Sequence, residues 1–170
     1  MDRRYRIDLY RHRIESIKAV MPHCCIGVDV IVGFPGETEK DFLQTYRFLN
    51  ELEVSYLHVF TYSERPNTKA VEMEGVVPKN ERAERSKMLR ILSEKKKIHF
   101  YQQNLGREAT VLFENDIEEG KIHGFTENYV RVAVDQDPSL LNQLKTVKLD
   151  FVNEKGLCEA SIKVPAEPVM

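Results

Sequence analysis

The sequence has few cysteines, prolines and glycines, and it lacks a long apolar segment. Three cysteines in 170 residues are too few for a disulfide framework. Seven prolines and eight glycines exclude collagen-like and low-complexity chains, and no apolar run approaches the roughly 18 residues that cross a bilayer. The opening segment MDRRYRIDLY is charged where a signal peptide is apolar. We therefore expect a globular protein of the reducing cytoplasm with no membrane partner.

Charge is distributed unevenly along the chain. Residues 1–106 carry 18 Lys and Arg against 15 Asp and Glu, a net charge of +3. Residues 107–170 carry 7 against 12, a net charge of −5. A protein that holds nucleic acid by charge alone needs a cation for each phosphate that it neutralises. Neither part of the chain has that surplus.

Residues 6–106 show alternating helix and strand patterns. Apolar residues recur at intervals of three and four over residues 7–21, which predicts an amphipathic helix. The segment CIGVDVIVGF at 25–34 is short and apolar on both faces, so it predicts a buried parallel strand. Thr38 and Asp41 then match a capping box that opens a second helix.

A second strand at 54–62 and a long helix at 79–104 complete this part of the chain. The order of helices and strands predicts parallel pairing. Two strands cannot close a barrel of βα units, which takes about 250 residues. We therefore expect an incomplete α/β domain at 1–106, with its missing strands upstream of Met1. The predicted apolar stripe of the long helix comprises Met88, Ile91, Leu92, Ile98, Tyr101 and Leu105.

After Gly106 the pattern changes to short alternating runs. The five runs, ATVLFE, KIHGF, NYVRVAV, TVKLDFV and ASIKV, are separated by turn residues. Strands at this spacing without another long helix predict a small antiparallel five-stranded barrel at 107–170. The predicted fold class is therefore α/β followed by all-β, with the domain boundary near Gly106.

Candidate ligand-binding residues lie on the two predicted parallel strands and in the loops that follow them. The turn from Gly33 to Glu37 places amides and a carboxylate where such folds bind ligands, although turn statistics alone favour a structural turn. Asp29 must be hydrogen-bonded or paired inside a sheet, and its functional and structural interpretations are equally weighted. His58 on an aromatic strand face is more often a core residue than a functional one. Arg65 is either a clamp for a carboxylate or phosphate, or a solvated side chain.

The cysteines and the predicted barrel offer weaker signals. Cys24 and Cys25 are adjacent and Cys158 is isolated, a spacing that favours core packing over metal ligation. Cations and an aromatic residue occur on alternating strands of the barrel, where they could stack on and neutralise single-stranded RNA. The net charge of −5 argues against strong binding. The residues concerned are Lys121, His123, Tyr129, Arg131, Lys145 and Lys148.

Several segments taken in order resemble one known family. They are DVIVGFPGET at 29–38, HVFTYSERPNTKA at 58–70, the long charged helix, and GFTENYVRVAV at 124–134. The chain resembles the C-terminal half of the radical SAM methylthiotransferases that modify tRNA, from Arg3 to about Val164. MDRRY and IGVDVIVGFPGE favour the branch that acts on threonylcarbamoyladenosine at A37 of tRNAs reading ANN codons.

The resemblance implies the end of a partial radical SAM barrel, followed by a TRAM domain, the small RNA-binding barrel of these enzymes. It also implies that tRNA and S-adenosylmethionine are partners of the parent enzyme. The barrel residues assigned to RNA are Lys121, Tyr129, Arg131, Lys145 and Lys148. The family loop commonly has glycine where this chain has Asn67, and asparagine tolerates the same left-handed conformation. The residues that would border the cofactor are Asp29, Gly33, Pro35, Gly36, Glu37, His58, Tyr62, Ser63 and Arg65.

One departure from the family limits what this chain can do. The CxxxCxxC triad that holds the cluster cleaving S-adenosylmethionine is absent from the sequence, and an iron–sulfur cluster needs several thiolates. We expect the chain alone to hold no cluster and to be inactive, although the parent is an enzyme. The alternatives are a fragment of the related ribosomal-protein aspartate methylthiotransferase and a stand-alone RNA-binding module. An exposed sheet edge would also favour self-association.

Overall fold

The computed structural model describes residues 6–163. Helix α1 (Ile7–Val20), strand β1 (Gly27–Val32), helix α2 (Glu39–Glu51) and strand β2 (Tyr56–Thr61) precede the long helix α3 (Lys79–Asn104). Strands β3 (Glu108–Glu118), β4 (Lys121–Thr126), β5 (Arg131–Asp135), β6 (Leu144–Val152) and β7 (Cys158–Ile162) follow. Short 3₁₀ helices lie at Lys69–Glu72 and Pro138–Leu140.

The chain forms two compact units, which meet in sequence between Lys97 and Ile98, inside α3. The boundary predicted near Gly106 lies just beyond the end of the same helix. No helix among residues 6–163 is long and apolar enough to span a membrane.

In the first unit, β1 and β2 pair in parallel, as predicted, with Asp29 opposite His58. Val28, Val30 and Val32 face a core to which all three helices of this unit contribute, through Ile14, Phe42, Leu49, Leu89 and Leu92. The expectation that β1 is buried on both faces is wrong, because its alternate residues, Asp29 among them, are exposed. The capping box of α2 is confirmed, since Thr38 Oγ1 accepts from the Asp41 amide and Asp41 accepts from the Thr38 amide.

The predicted apolar stripe of α3 is only partly correct. Leu92 and Tyr101 are buried, but Met88 and Ile91 are exposed. The side of α3 that faces the first unit carries polar as well as apolar residues, because Arg82 and Arg85 bond to neighbouring loops and Ser93 bonds to strand β2. The buried residues of α3 up to Lys97 are Arg82, Arg85, Ser86, Leu89, Leu92 and Ser93.

In the second unit, five strands form a closed barrel in the order β3-β4-β5-β7-β6. The prediction of an antiparallel barrel is wrong for one pair, since β5 and β7 run parallel. A closed ring with an odd number of strands cannot alternate direction throughout, so at least one neighbouring pair must be parallel. Bulges interrupt β3 between Phe113 and Ile117, and β6 between Leu149 and Phe151; bulges of this kind bend strands around a small barrel.

Gly124 allows β3 and β4 to approach each other. A Cβ atom at this position would lie 2.3 Å from the Leu112 carbonyl oxygen, so no larger residue fits without moving the backbone. The barrel interior is filled by fully buried side chains of β3, β4, β5, β6 and β7, including Val111, Phe113, Ile122, Val132, Leu149 and Cys158.

Candidate functional site

The loop that follows β1 is closed by hydrogen bonds of its own. Gly33 and Gly36 have φ angles of 79° and 84°, which glycine adopts without steric cost. The Gly33 amide donates to Glu37 Oε2 at 2.8 Å, and the Glu37 amide donates to the Phe34 carbonyl at 2.9 Å. The Gly36 amide donates to the Gly75 carbonyl at 2.8 Å. The backbone donors predicted at the end of β1 are therefore bonded largely within the protein, and Pro35 of the same turn is buried.

Arg85 of α3 holds the Glu37 side chain. Arg85 Nη1 donates to Glu37 Oε1 at 2.9 Å and to the Glu37 carbonyl at 3.1 Å. Its guanidinium also lies over the Phe42 ring, 5.5 Å from the ring centroid, as in a cation–π contact. Since Gly33 bonds to the other carboxylate oxygen, both oxygens of Glu37 have protein partners. Glu37, predicted to border a cofactor, is thus an internal anchor of the loop.

Arg82, one turn earlier on α3, contacts the loop that follows β2. Its Nη1 donates to the Tyr62 carbonyl at 3.1 Å, and its Nη2 lies 2.7 Å from Glu64 Oε1. Its Nε donates to the Val77 carbonyl at 2.7 Å. A Cβ atom on Gly33 would lie 2.4 Å from Arg82 Cγ, so the glycine leaves the space that this side chain fills. Arg82 therefore touches the ends of both strands.

The predicted cofactor residues after β2 differ in their environment. Tyr62 packs edge-on against Phe34 at 5.4 Å between ring centroids, and its buried hydroxyl has no hydrogen-bond partner within residues 6–163. Ser63 and Arg65 are exposed. Asn67 has a φ of 63°, so asparagine does adopt the left-handed conformation expected at this glycine position.

Asp29 and His58 are neighbours on the exposed face of the β1–β2 pair. The interpretation of His58 as a core residue is wrong, because its side chain is exposed, with its ring 4.8 Å from Tyr56 in an edge-on contact. Ile31 and Phe60, also paired in register, expose apolar surface beside them. A cleft of about 720 Å³ runs along β1, between α1 and α2, and includes Asp29 and Ile31. This face combines one carboxylate, one imidazole and apolar surface.

The cations predicted to contact RNA do not form one free face. Lys121 is paired with Asp135 and Glu159, and Arg131 Nη2 lies 2.6 Å from Asp116 Oδ2. The Arg131 pair lowers the pKa of the Asp116 carboxyl, mainly through its hydrogen bond. Lys145 and Lys148 are exposed but are three residues apart on one strand, so their side chains leave opposite faces. The candidate His123 is buried, with Nδ1 at 3.1 Å from the Asp116 carbonyl oxygen.

Tyr129 lies in a hydrogen-bonded turn between β4 and β5. Its φ of 63° is unusual for a bulky residue, and the turn is held by Tyr129 and Val130 amides that donate to Thr126. Its side chain is 70% exposed and its ring lies 6.4 Å from that of Phe125. Two accessible aromatic rings therefore lie together at this end of β4.

Sequence reasoning missed Arg82 and Arg85, the residues that connect the predicted cofactor loops. Both lie in the strongly charged segment KNERAERSK, where arginine is expected to be solvated. Their spacing contains a usable signal, because Arg82, Arg85 and Leu89 continue at helical intervals into the buried Leu92. An arginine in line with buried leucines faces the protein.

Relatives of known name match most of the chain, although no protein-family model matches it. It is 42% identical over 132 residues, 78% of the chain, to the threonylcarbamoyladenosine tRNA methylthiotransferase MtaB of Aquifex aeolicus. It is 32% identical over 98% of the chain to the protein of the same name from Thermotoga maritima. The chain is a homologue of the tRNA methylthiotransferases. The tRNA-2-methylthio-N(6)-dimethylallyladenosine synthase of Streptomyces viridosporus is 42% identical over 63% of the chain.

The resemblance drawn from the sequence is thereby confirmed. This methylthiotransferase homologue spans 31% of the length of the Aquifex aeolicus protein and 39% of that of the Thermotoga maritima protein. It thus corresponds to about a third of each of these relatives.

The thiols of this methylthiotransferase homologue do not fit an iron–sulfur cluster. Among residues 6–163, no group of three or more His, Cys, Asp or Glu side chains could hold a metal ion. Burial raises the pKa of the Cys158 thiol to about 11, with smaller contributions from Asp150 and Glu159, and burial also raises the pKa of Cys25. Cluster ligands are thiolates, which both environments disfavour.

Proposed function

We propose that the chain is part of a tRNA methylthiotransferase that converts N6-threonylcarbamoyladenosine at A37 to its 2-methylthio form. The observation that carries the proposal is the similarity to proteins of that activity. The relatives named threonylcarbamoyladenosine tRNA methylthiotransferase from Aquifex aeolicus, Thermotoga maritima and Bacillus subtilis align with 78%, 98% and 88% of the chain. The proposal includes a cytoplasmic location and an isolated chain without catalytic activity.

In this proposal the first unit supplies part of the wall of the S-adenosylmethionine site. Parallel βα folds bind ligands at the carboxyl ends of their strands, where the loops after β1 and β2 lie. On the adjoining face, Asp29 can accept hydrogen bonds from hydroxyl or ammonium groups, and Ile31 and Phe60 offer apolar surface to a flat ring. When bound in an enzyme of this family, S-adenosylmethionine supplies the methyl group and the radical. The chain's own residues bind and orient it.

The second unit, in this proposal, is a TRAM domain that docks tRNA, within a domain organisation of 1–106 and 107–170. The closed five-stranded barrel and its exposed aromatic pair support an RNA-binding role. Lys121 and Arg131 would have to share or leave their acidic partners to reach a phosphate. Tyr129, Lys145 and Lys148 are therefore the stronger contacts among the five residues that we assign to RNA.

Binding of tRNA by the isolated chain tests this role. Each stacked base contributes about 1 to 3 kcal/mol, and a few phosphate contacts give a modest salt slope. We expect weak binding of a transcribed tRNA in a gel-shift assay. Tyr129→Ala should weaken it at every salt concentration, whereas Lys145→Glu with Lys148→Glu should weaken it mainly at low salt.

Lys155→Glu is the matched control, because Lys155 lies on the same barrel but is paired with Glu119. Circular dichroism confirms the fold of each variant. If the Tyr129 and Lys145/Lys148 variants bind as well as the unchanged chain does, these assigned RNA contacts are wrong. If none of the proteins binds tRNA, the barrel alone does not dock it.

A further inference from the structure

We propose that Arg82 and Arg85 are positioning residues that hold the loops after β1 and β2 in a single arrangement. The inference rests on the proposed function, since those loops matter as the border of the S-adenosylmethionine site. It gives α3 a role in positioning these loops, which the charged sequence of the helix does not predict.

Arg82 and Arg85 bond to different loops. They are three residues apart, so they share one side of α3. Arg85 bonds to both the carboxylate and the carbonyl of Glu37 in the first loop. Arg82 bonds to the Tyr62 carbonyl and Glu64 in the second loop, and its Cγ occupies the space left by Gly33 in the first. One side chain thus anchors the first loop, and the other connects both loops.

The burial of both guanidinium groups couples the two arginines energetically to the closed loops. The side chains of Arg82 and Arg85 are only 4% and 9% exposed, and a guanidinium stays charged at any ordinary pH. A buried charge that loses its partner is strongly destabilising. Arg85 also pairs with Glu81 of its own helix at 3.4 Å, and Arg82 donates to the Val77 carbonyl before α3, but the closest carboxylate of each arginine belongs to a loop. A loop that opens therefore removes from a buried arginine its closest carboxylate partner. The closed form of each loop is therefore coupled to burial of the arginines.

This arrangement changes the role of Glu37. Its two oxygens are used by Gly33 and Arg85, so it contributes to a ligand site by fixing the backbone of residues 33–37. Preorganised loops bind a ligand more tightly because less order has to be imposed on binding. The arginines would increase cofactor affinity without touching the cofactor.

Amide hydrogen exchange on the whole chain, followed by mass spectrometry, measures this coupling. Arg85→Met should raise exchange at least tenfold in peptides covering 33–38, and Arg82→Met should do so in peptides covering both 33–38 and 62–65. Peptides from the barrel should be unchanged. Arg85→Lys should give an intermediate result, because lysine can pair with Glu37 but lacks the forked guanidinium. Arg90→Met is the matched control, since Arg90 is an exposed arginine of α3 whose side chain bonds to Ser86 of the same helix.

A second variant, Glu37→Gln, distinguishes loss of the Arg85–Glu37 pair from general misfolding. Glu37→Gln keeps the size of the side chain but removes the charge that Arg85 pairs with. Combined with Arg85→Met, it should add little further exchange, because the pair acts as one unit. Additive effects of the two substitutions, or loop exchange in Arg85→Met equal to that of Arg90→Met, would overturn the inference.

Calorimetric titration with S-adenosylhomocysteine separates the inference from the proposed function. We expect Arg85→Met to lose at least tenfold in affinity, with partial recovery in Arg85→Lys. Equal affinity of Arg85→Met and the unchanged chain would overturn the positioning role. The unchanged chain could bind no S-adenosylhomocysteine while Arg85→Met still raises amide exchange in the loops. That result would support the loop coupling and contradict the cofactor role proposed for this unit.

Discussion

Individual side chains determine which polar groups at the proposed cofactor loops remain available to a ligand. The sequence placed Asp29 and His58 within two parallel strands and Glu37 in the turn after the first strand, since strand patterns and turn residues are local signals. It could not show that Glu37 is bound by Arg85, because that contact joins residues 48 positions apart. Nor could it show that Asp29 and His58 are exposed, because β1 is apolar apart from Asp29. Exposure depends on which strands are present beside it.

The Cys158 thiol provides a pH test of the barrel interior. Burial raises its folded-state pKa to about 11, above the ordinary value of 9.0, so the fold favours the neutral thiol. Its contribution to stability is therefore complete below pH 9 and is lost as the pH rises towards 11. We expect the urea midpoint of the unchanged chain to fall more steeply between pH 8 and pH 10.5 than that of Cys158→Ala. Parallel pH curves for the two proteins would contradict the assigned burial of this thiol.

At the scale of helices and strands, the periodicity of apolar residues predicted the α/β part and the barrel. It did not predict which side chains of one element pack against or hydrogen-bond to the next. All the predicted strands are present because each is a short apolar or alternating run bounded by turn residues. The stripe of α3 was placed wrongly, since Met88 and Ile91 are apolar yet exposed while Arg82 and Ser93 face protein. The parallel β5–β7 pair follows from ring closure, which is a property of the whole barrel rather than of any strand.

Ser93 shows how α3 covers the outer edge of β2. Its hydroxyl accepts from the Leu57 amide and donates to the Leu57 carbonyl, both at 2.9 Å, in place of a neighbouring strand. Ser93→Ala leaves two buried backbone groups unsatisfied, which costs about 1 to 3 kcal/mol for each group. We expect a lower urea midpoint and, since unpaired edges promote association, more self-association by light scattering.

Ser16→Ala is a suitable control for this change, because Ser16 is an exposed helical serine that bonds only to the His12 carbonyl of its own helix. A midpoint and scattering mass for Ser93→Ala equal to those of the control would show that the β2 edge does not depend on this hydroxyl. Light scattering of the unchanged chain also tests the expectation that an exposed sheet edge favours self-association, since a monomer at high concentration would contradict it.

For the molecule as a whole, each of the two units has an exposed surface of its own kind. The first unit exposes Asp29 and His58 beside two loops that are hydrogen-bonded to Arg82 and Arg85. The second unit exposes Phe125 and Tyr129 on an acidic barrel. Under the proposed function, the first surface would contribute to binding S-adenosylmethionine and the second to binding tRNA. Among residues 6–163 no group of metal-ligating side chains accompanies them, so the proposal assigns the redox chemistry to other parts of a parent enzyme.

Nucleoside analysis of tRNA tests the central claim most directly. The matching segment of the Thermotoga maritima relative, 32% identical to this chain, would be replaced by this chain and the chimeric enzyme produced in a host without the endogenous activity. Liquid chromatography with mass spectrometry of digested tRNA should then detect 2-methylthio-N6-threonylcarbamoyladenosine. A folded chimera that retains its cluster absorbance but yields no such nucleoside, or that methylthiolates dimethylallyladenosine or a ribosomal-protein aspartate instead, would contradict the account.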